Sequence, residues 1–106
     1  MNVYRNGTKV GYALQDGTIW REGIGAGEKV GYALKDGTIW SGPGVGDKVG
    51  RVLRDGTIWS GPGVGEQVGQ ILRDGTILRG REQVGKVDQI PELQIAGAAA
   101  LLLLLS

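Results

Sequence analysis

Four copies of Asp-Gly-Thr-Ile, at residues 16–19, 36–39, 55–58 and 74–77, recur at spacings of 20, 19 and 19. A period this short marks a supersecondary unit that must stack on its neighbours to bury an apolar face. Ahead of each copy lies Val-Gly-x-x-Leu-x, at residues 10–15, 30–35, 49–54 and 68–73. Two half-units flank the array: residues 2–4 match the Thr-Ile-Trp strand, and residues 83–88 match the Val-Gly strand. The pattern predicts ten strands, or five hairpins if the chain ends pair.

Asp-Gly between β-prone runs signals a two-residue hairpin turn of type I′. With Asp16-Gly17 as that turn, Leu14 faces Ile19, Ala13 faces Trp20 and Tyr12 faces Arg21. Cross-strand partners share a face, so Val10, Leu14 and Ile19 read as the buried set, and Gly11, Ala13 and Trp20 take the other face. The series Ala13, Ala33, Val52, Ile71 runs against Trp20, Trp40, Trp59, Leu78 as volume-conserving packing would. Tyr12, Tyr32, Arg51 and Gln70 occupy one variable position, which predicts a solvent-facing or rim location.

Units are joined by short connections at residues 5–9 and 79–83 and by three longer glycine-rich linkers, at residues 22–27, 41–46 and 60–65. Each links antiparallel strands, giving a meander. Closure of Val3-Tyr4 onto residues 84–87 removes aggregation-prone edges. The expected fold is therefore all-β: a closed antiparallel meander of four to five hairpin petals over residues 1–88, with an apolar helical tail over residues 89–106. A β-solenoid also explains the period, but not the turn that splits each unit.

The recurring Gly-x-x-Val-Gly-Tyr-x-Leu-x-Asp-Gly-x-Ile-Trp pattern and the Ala/Leu-rich end resemble the four-fold β-flower family of small bacterial proteins. The resemblance covers residues 2–88 and 96–105 and implies β-hairpin petals about a pseudo-symmetry axis, in a family whose function is largely uncharacterised. The strand count here permits five petals where the family has four.

After Asp88 the composition changes. Pro91 suits a helix first turn, with Glu92 near its positive end. Ile95, Ala96, Gly97, Ala98, Ala99, Ala100 and five leucines, Leu101, Leu102, Leu103, Leu104 and Leu105, then follow. As a helix the strictly apolar part spans ~16 Å, too short to cross a hydrocarbon core of ~30 Å. It is apolar all round, so it cannot lie with one face in water. Burying Ile95 and the leucines is worth on the order of 9–18 kcal/mol. Three burials are open: the mouth of its own β-domain, partial insertion into a membrane, or a bundle of identical tails. Gly97 and the alanines permit close helix approach, which favours the bundle. Residues 95–105 are then assembly residues of a homo-oligomer or filament.

Chemistry is sparse. The chain has no Cys and no His, and 12 Lys/Arg stand against 11 Asp/Glu. That composition argues against thiolate metal sites, His-based catalysis and a nucleic-acid partner, and no enzyme activity, metal or cofactor is expected. The segment 25–30 lacks the Gly-Lys-Ser/Thr of a phosphate loop. Asp16, Asp36, Asp55 and Asp74 read as turn formers rather than a Ca²⁺ ring, and Arg51, Arg54, Arg73, Arg79 and Arg81 as part of a solvated mixed-charge surface. The start shows no secretory pattern, so the default expectation is a cytoplasmic protein, with membrane association or an unconventional export route as alternatives. Two functions follow: a non-enzymatic self-assembling structural protein, or a carbohydrate- or ligand-binding module. The module's aromatic surface would be Tyr4, Trp20, Trp40 and Trp59, with Thr18, Thr38 and Thr57 as polar neighbours.

Overall fold

A computed structural model describes residues 1–23, 27–42, 46–61, 63, 65–89 and 92–105. Pro91 and the central residues of the three long linkers (24–26, 43–45, 62 and 64) lie outside the described residues. The strands are β1 (Asn2–Arg5), β2 (Thr8–Ala13), β3 (Thr18–Arg21), β4 (Glu28–Ala33) and β5 (Thr38–Ser41) in the first half. The second half holds β6 (Lys48–Val52), β7 (Thr57–Ser60), β8 (Glu66–Ile71), β9 (Thr76–Arg79) and β10 (Glu82–Val87). They form a closed ten-stranded antiparallel barrel in which every strand pairs with its sequence neighbours. The seam is β1 against β10, with Val3 opposite Val87 and Tyr4 opposite Lys86. Asp88 clamps it by accepting hydrogen bonds from the Asn2 backbone N–H (2.8 Å) and side-chain amide (3.0 Å). Ten strands make five two-stranded units.

The hairpin register differs by one residue from the type I′ expectation. Leu14 N–H donates to Thr18 C=O (2.9 Å) and Gly17 N–H to Leu14 C=O (3.0 Å), so the loop is the three residues Gln15-Asp16-Gly17. The cause is local: only Gly17 takes a left-handed φ, at +91°, whereas type I′ requires one at Asp16 too, an uncommon conformation for a residue with a Cβ. Asp16 instead folds over the turn to accept from Thr18. Asn6-Gly7, with φ of 51° and 81°, does make the two-residue turn between β1 and β2. A one-residue slip exchanges faces. Ala13 therefore faces Ile19 and Tyr12 faces Trp20, and the proposed Ala–Trp volume compensation is corrected. Leu14, Leu34 and Leu53, expected inside, are 44%, 41% and 37% exposed.

The Val-Gly dipeptide is a β-bulge. Ile19 pairs with Gly31 but Trp20 with Lys29, leaving Val30 as the extra residue, and Val10, Val49, Val68 and Val84 repeat the irregularity. The bulge lets both Val and Gly turn toward the core, and it bends the strand for closure. Inside, Val3, Ile19, Ile39, Ile58 and Ile77 form a fully buried belt.

The tail fills the barrel. Residues Leu93–Ala100 form an α-helix (α1) that continues as a π-helical turn over Leu101–Leu105. Ile95 and Ala96 to Ala100, with Leu101, Leu103 and Leu104, are buried against the inner ring. Of the three burials open to the tail, this is the one within its own β-domain rather than the favoured bundle of identical tails. The packing is one leucine per unit. A methyl group built on Gly50, Gly31, Gly11 or Gly69 would come within 2.6 Å of Leu101, Leu102, Leu103 or Leu105 respectively. On Gly85 it would come within 2.8 Å of Leu104. Successive leucines thus step round β6, β4, β2, β10 and β8, one unit each time. An α-helix advances ~100° per residue and would leave the first and fifth leucines only ~40° apart, whereas five units stand roughly 72° apart. The wider i→i+5 turn distributes five side chains over five units.

Candidate functional site

The terminal carbonyls of the tail are capped by two arginines. Arg5 donates to Leu103 C=O (3.0 Å) and Leu104 C=O (3.3 Å). Arg79 donates to Leu105 C=O (3.0 Å) and Leu104 C=O (3.5 Å). Cations there complement the negative end of the helix dipole. Arg79 is thus a cap rather than a member of a solvated surface, and the matching strand-end position of Arg5 and Arg79 is a signal the sequence contained. A cleft of about 630 Å³ opens beside this end between Arg5, Lys9 and Arg21, over Leu102 and Leu103. Of its cations, Arg5 is spent on the helix and Lys9 faces Glu22 at 3.8 Å.

The outer surface carries the more regular feature. At each unit one aromatic or apolar side chain sits between two cross-strand neighbours: Tyr12–Trp20–Lys29, Tyr32–Trp40–Lys48 and Arg51–Trp59–Gln67. Gln70–Leu78–Gln83 and Lys86–Tyr4–Lys9 complete the circuit. The four aromatics singled out from the sequence therefore lie in one belt. They are not in mutual contact: successive ones are two strands apart, ~9.6 Å along the sheet, and turned by the curvature of the barrel. Tyr12 and Tyr32, expected at a solvent-facing or rim position, are also cross-strand partners of the indoles. The Tyr12 and Trp20 rings are parallel within 2° with centroids 6.1 Å apart, and Tyr32 and Trp40 within 5° at 6.2 Å. Offset parallel pairs at this separation are favourable. Lys9 and Lys29 place their ammonium groups 5.3 and 5.5 Å from the Tyr12 and Tyr32 centroids, and the Arg51 guanidinium lies 5.7 Å from Trp59.

Each indole is also fixed by its own repeat. Trp20, Trp40 and Trp59 donate Nε1–H to Oγ1 of Thr18, Thr38 and Thr57 at 3.0, 3.1 and 2.9 Å. Those hydroxyls donate to Asp16, Asp36 and Asp55 at 2.6, 2.6 and 2.7 Å. Asp-Gly-Thr-Ile-Trp is therefore one relay from turn to ring. The threonine hydroxyl, followed by its backbone N–H, holds each of these carboxyls below the usual range. At Asp74 the Thr76 N–H leads, and Leu78 stands where the indole would be. The threonines are thus ring supports rather than free groups beside the ring. The aspartates occupy separate turns, and among the described residues no three potential metal ligands converge.

Among the described residues no helix is long and apolar enough to cross a membrane. No protein-family model, curated protein or solved structure matches the chain.

Proposed function

We propose that the protein is a non-enzymatic binding module whose aromatic belt receives carbohydrate. The observation that carries this reading is the threefold Asp–Thr–Trp relay. It holds three half-buried indoles on the outside of a closed barrel, two of them braced by a parallel tyrosine. Rings locked before binding lose little rotamer freedom on contact. Assembly through residues 95–105 is not the preferred reading, because those side chains are used inside the barrel. Titrating the intact protein with a panel of neutral and acidic oligosaccharides while following Trp fluorescence tests the proposal. Saturable spectral shifts that weaken in Trp20→Ala and Trp40→Ala support it. No shift with any oligosaccharide overturns it.

A further inference from the structure

The belt aromatics have no carboxylate among their register partners. Their neighbours are Lys86 and Lys9 for Tyr4, Tyr12 and Lys29 for Trp20, Tyr32 and Lys48 for Trp40, and Arg51 and Gln67 for Trp59. Acids instead sit in the hairpin turns and at strand ends, as Asp36 and Glu28 do. A chain with net charge +1 thus gathers donors around its waist. Neutral sugars offer hydroxyls that both donate and accept, and a site for them supplies carboxylate or amide acceptors. Ammonium and guanidinium groups only donate and pair best with an ionised acceptor.

We infer that, within the carbohydrate reading on which this rests, the ligand is an acidic sugar, a pyranose bearing its own carboxylate or sulfate. The second unit is the principal site. Its Trp40 ring would lie against the sugar, while Lys48, its partner across one strand gap, and Lys29, over the braced Tyr32 ring, take the anion. At the first unit Lys9 already faces Glu22 at 3.8 Å, which dilutes its charge. Asp36 senses Lys48 and Asp16 senses Lys29, but each carboxylate is bonded to the threonine of its own turn. Lys48 leaves the sheet one strand gap, ~5 Å, from Trp40, which suits an anion attached directly to the bound ring. In a nucleotide, the ribose separates base from phosphate.

The test uses the intact protein with four probes: oligogalacturonate, a sulfated galactan oligosaccharide, a neutral galacto-oligosaccharide of equal length, and oligothymidylate. Calorimetry at low salt is expected to show at least tenfold tighter binding of one or both acidic probes. Lys48→Gln and Lys29→Gln are expected to abolish that preference, Lys48→Arg to retain it, and circular dichroism to confirm that each variant is folded. Preference for the first probe or the second tells carboxylate from sulfate. Equal affinity for neutral and acidic probes overturns the inference and leaves the module reading standing. No binding of any sugar removes both. Tighter binding of oligothymidylate than of every sugar overturns the inference in favour of a single-stranded nucleic acid.

Discussion

Gly97→Ala separates a helix enclosed by the barrel from a helix free of it, because the two cases differ in sign. Gly97 is buried in α1 against β6. A methyl group there would lie 2.6 Å from Val52 Cγ2, 2.7 Å from Cβ and 3.0 Å from Cγ1. Overpacking a filled site costs about 1–3 kcal/mol. Replacing a mid-helix glycine by alanine returns about 1 kcal/mol. The expected balance is destabilisation by about 1 kcal/mol, a fall of roughly 4–8 °C in Tm for a domain of this size. Urea unfolding followed by far-UV circular dichroism measures it. Val52→Ala removes two of the three close contacts and leaves Cβ, so in that background Gly97→Ala should cost about 1 kcal/mol less, an interaction of the size expected for touching residues. A Gly97→Ala protein more stable than the parent by about 1 kcal/mol, the gain of an unobstructed helix, would refute the placement of this turn against Val52.

Removing either arginine cap should weaken the tail's grip: Arg5→Ala and Arg79→Ala are each expected to cost about 1 kcal/mol, read from urea midpoints, with Arg5→Lys milder. The revised register predicts unequal leucine and isoleucine positions. Ile39→Ala, at a site with 0% exposure, should cost about 2–5 kcal/mol, whereas Leu34→Gln at a 41% exposed site should stay within about 0.5 kcal/mol. The aspartate relay sets an acid dependence. The folded pKa values of Asp16, Asp36 and Asp55 are lowered by the threonines. Their stabilisation is therefore complete above the unfolded carboxylate range near pH ~4 and is lost as pH falls through the folded values. Thr18→Val, Thr38→Val and Thr57→Val together should lower stability at pH 6 and flatten its fall toward pH 2.5, measured by thermal melts across pH.

Local chemistry made much of this protein readable from its amino acids. Turn residues at a fixed period announce hairpins, complementary half-units at the two ends announce closure, and a position that accepts Tyr12, Tyr32, Arg51 and Gln70 alike announces the outside. All three follow from interactions among residues close in sequence or repeated along it. Register was beyond that reach. It depended on whether Asp16 or only Gly17 would take a left-handed φ, and on an extra Val in each unit, so a slip of one residue put Leu14 outside and Trp20 beside Tyr12. The tail's destination was further still. An all-round apolar helix shows only that it must leave water; what receives it exists only once five glycines, one per unit, have been brought into a ring. Five consecutive leucines meet that ring through a turn that isolated helix propensity disfavours, because only the assembled barrel supplies the contacts that offset its cost.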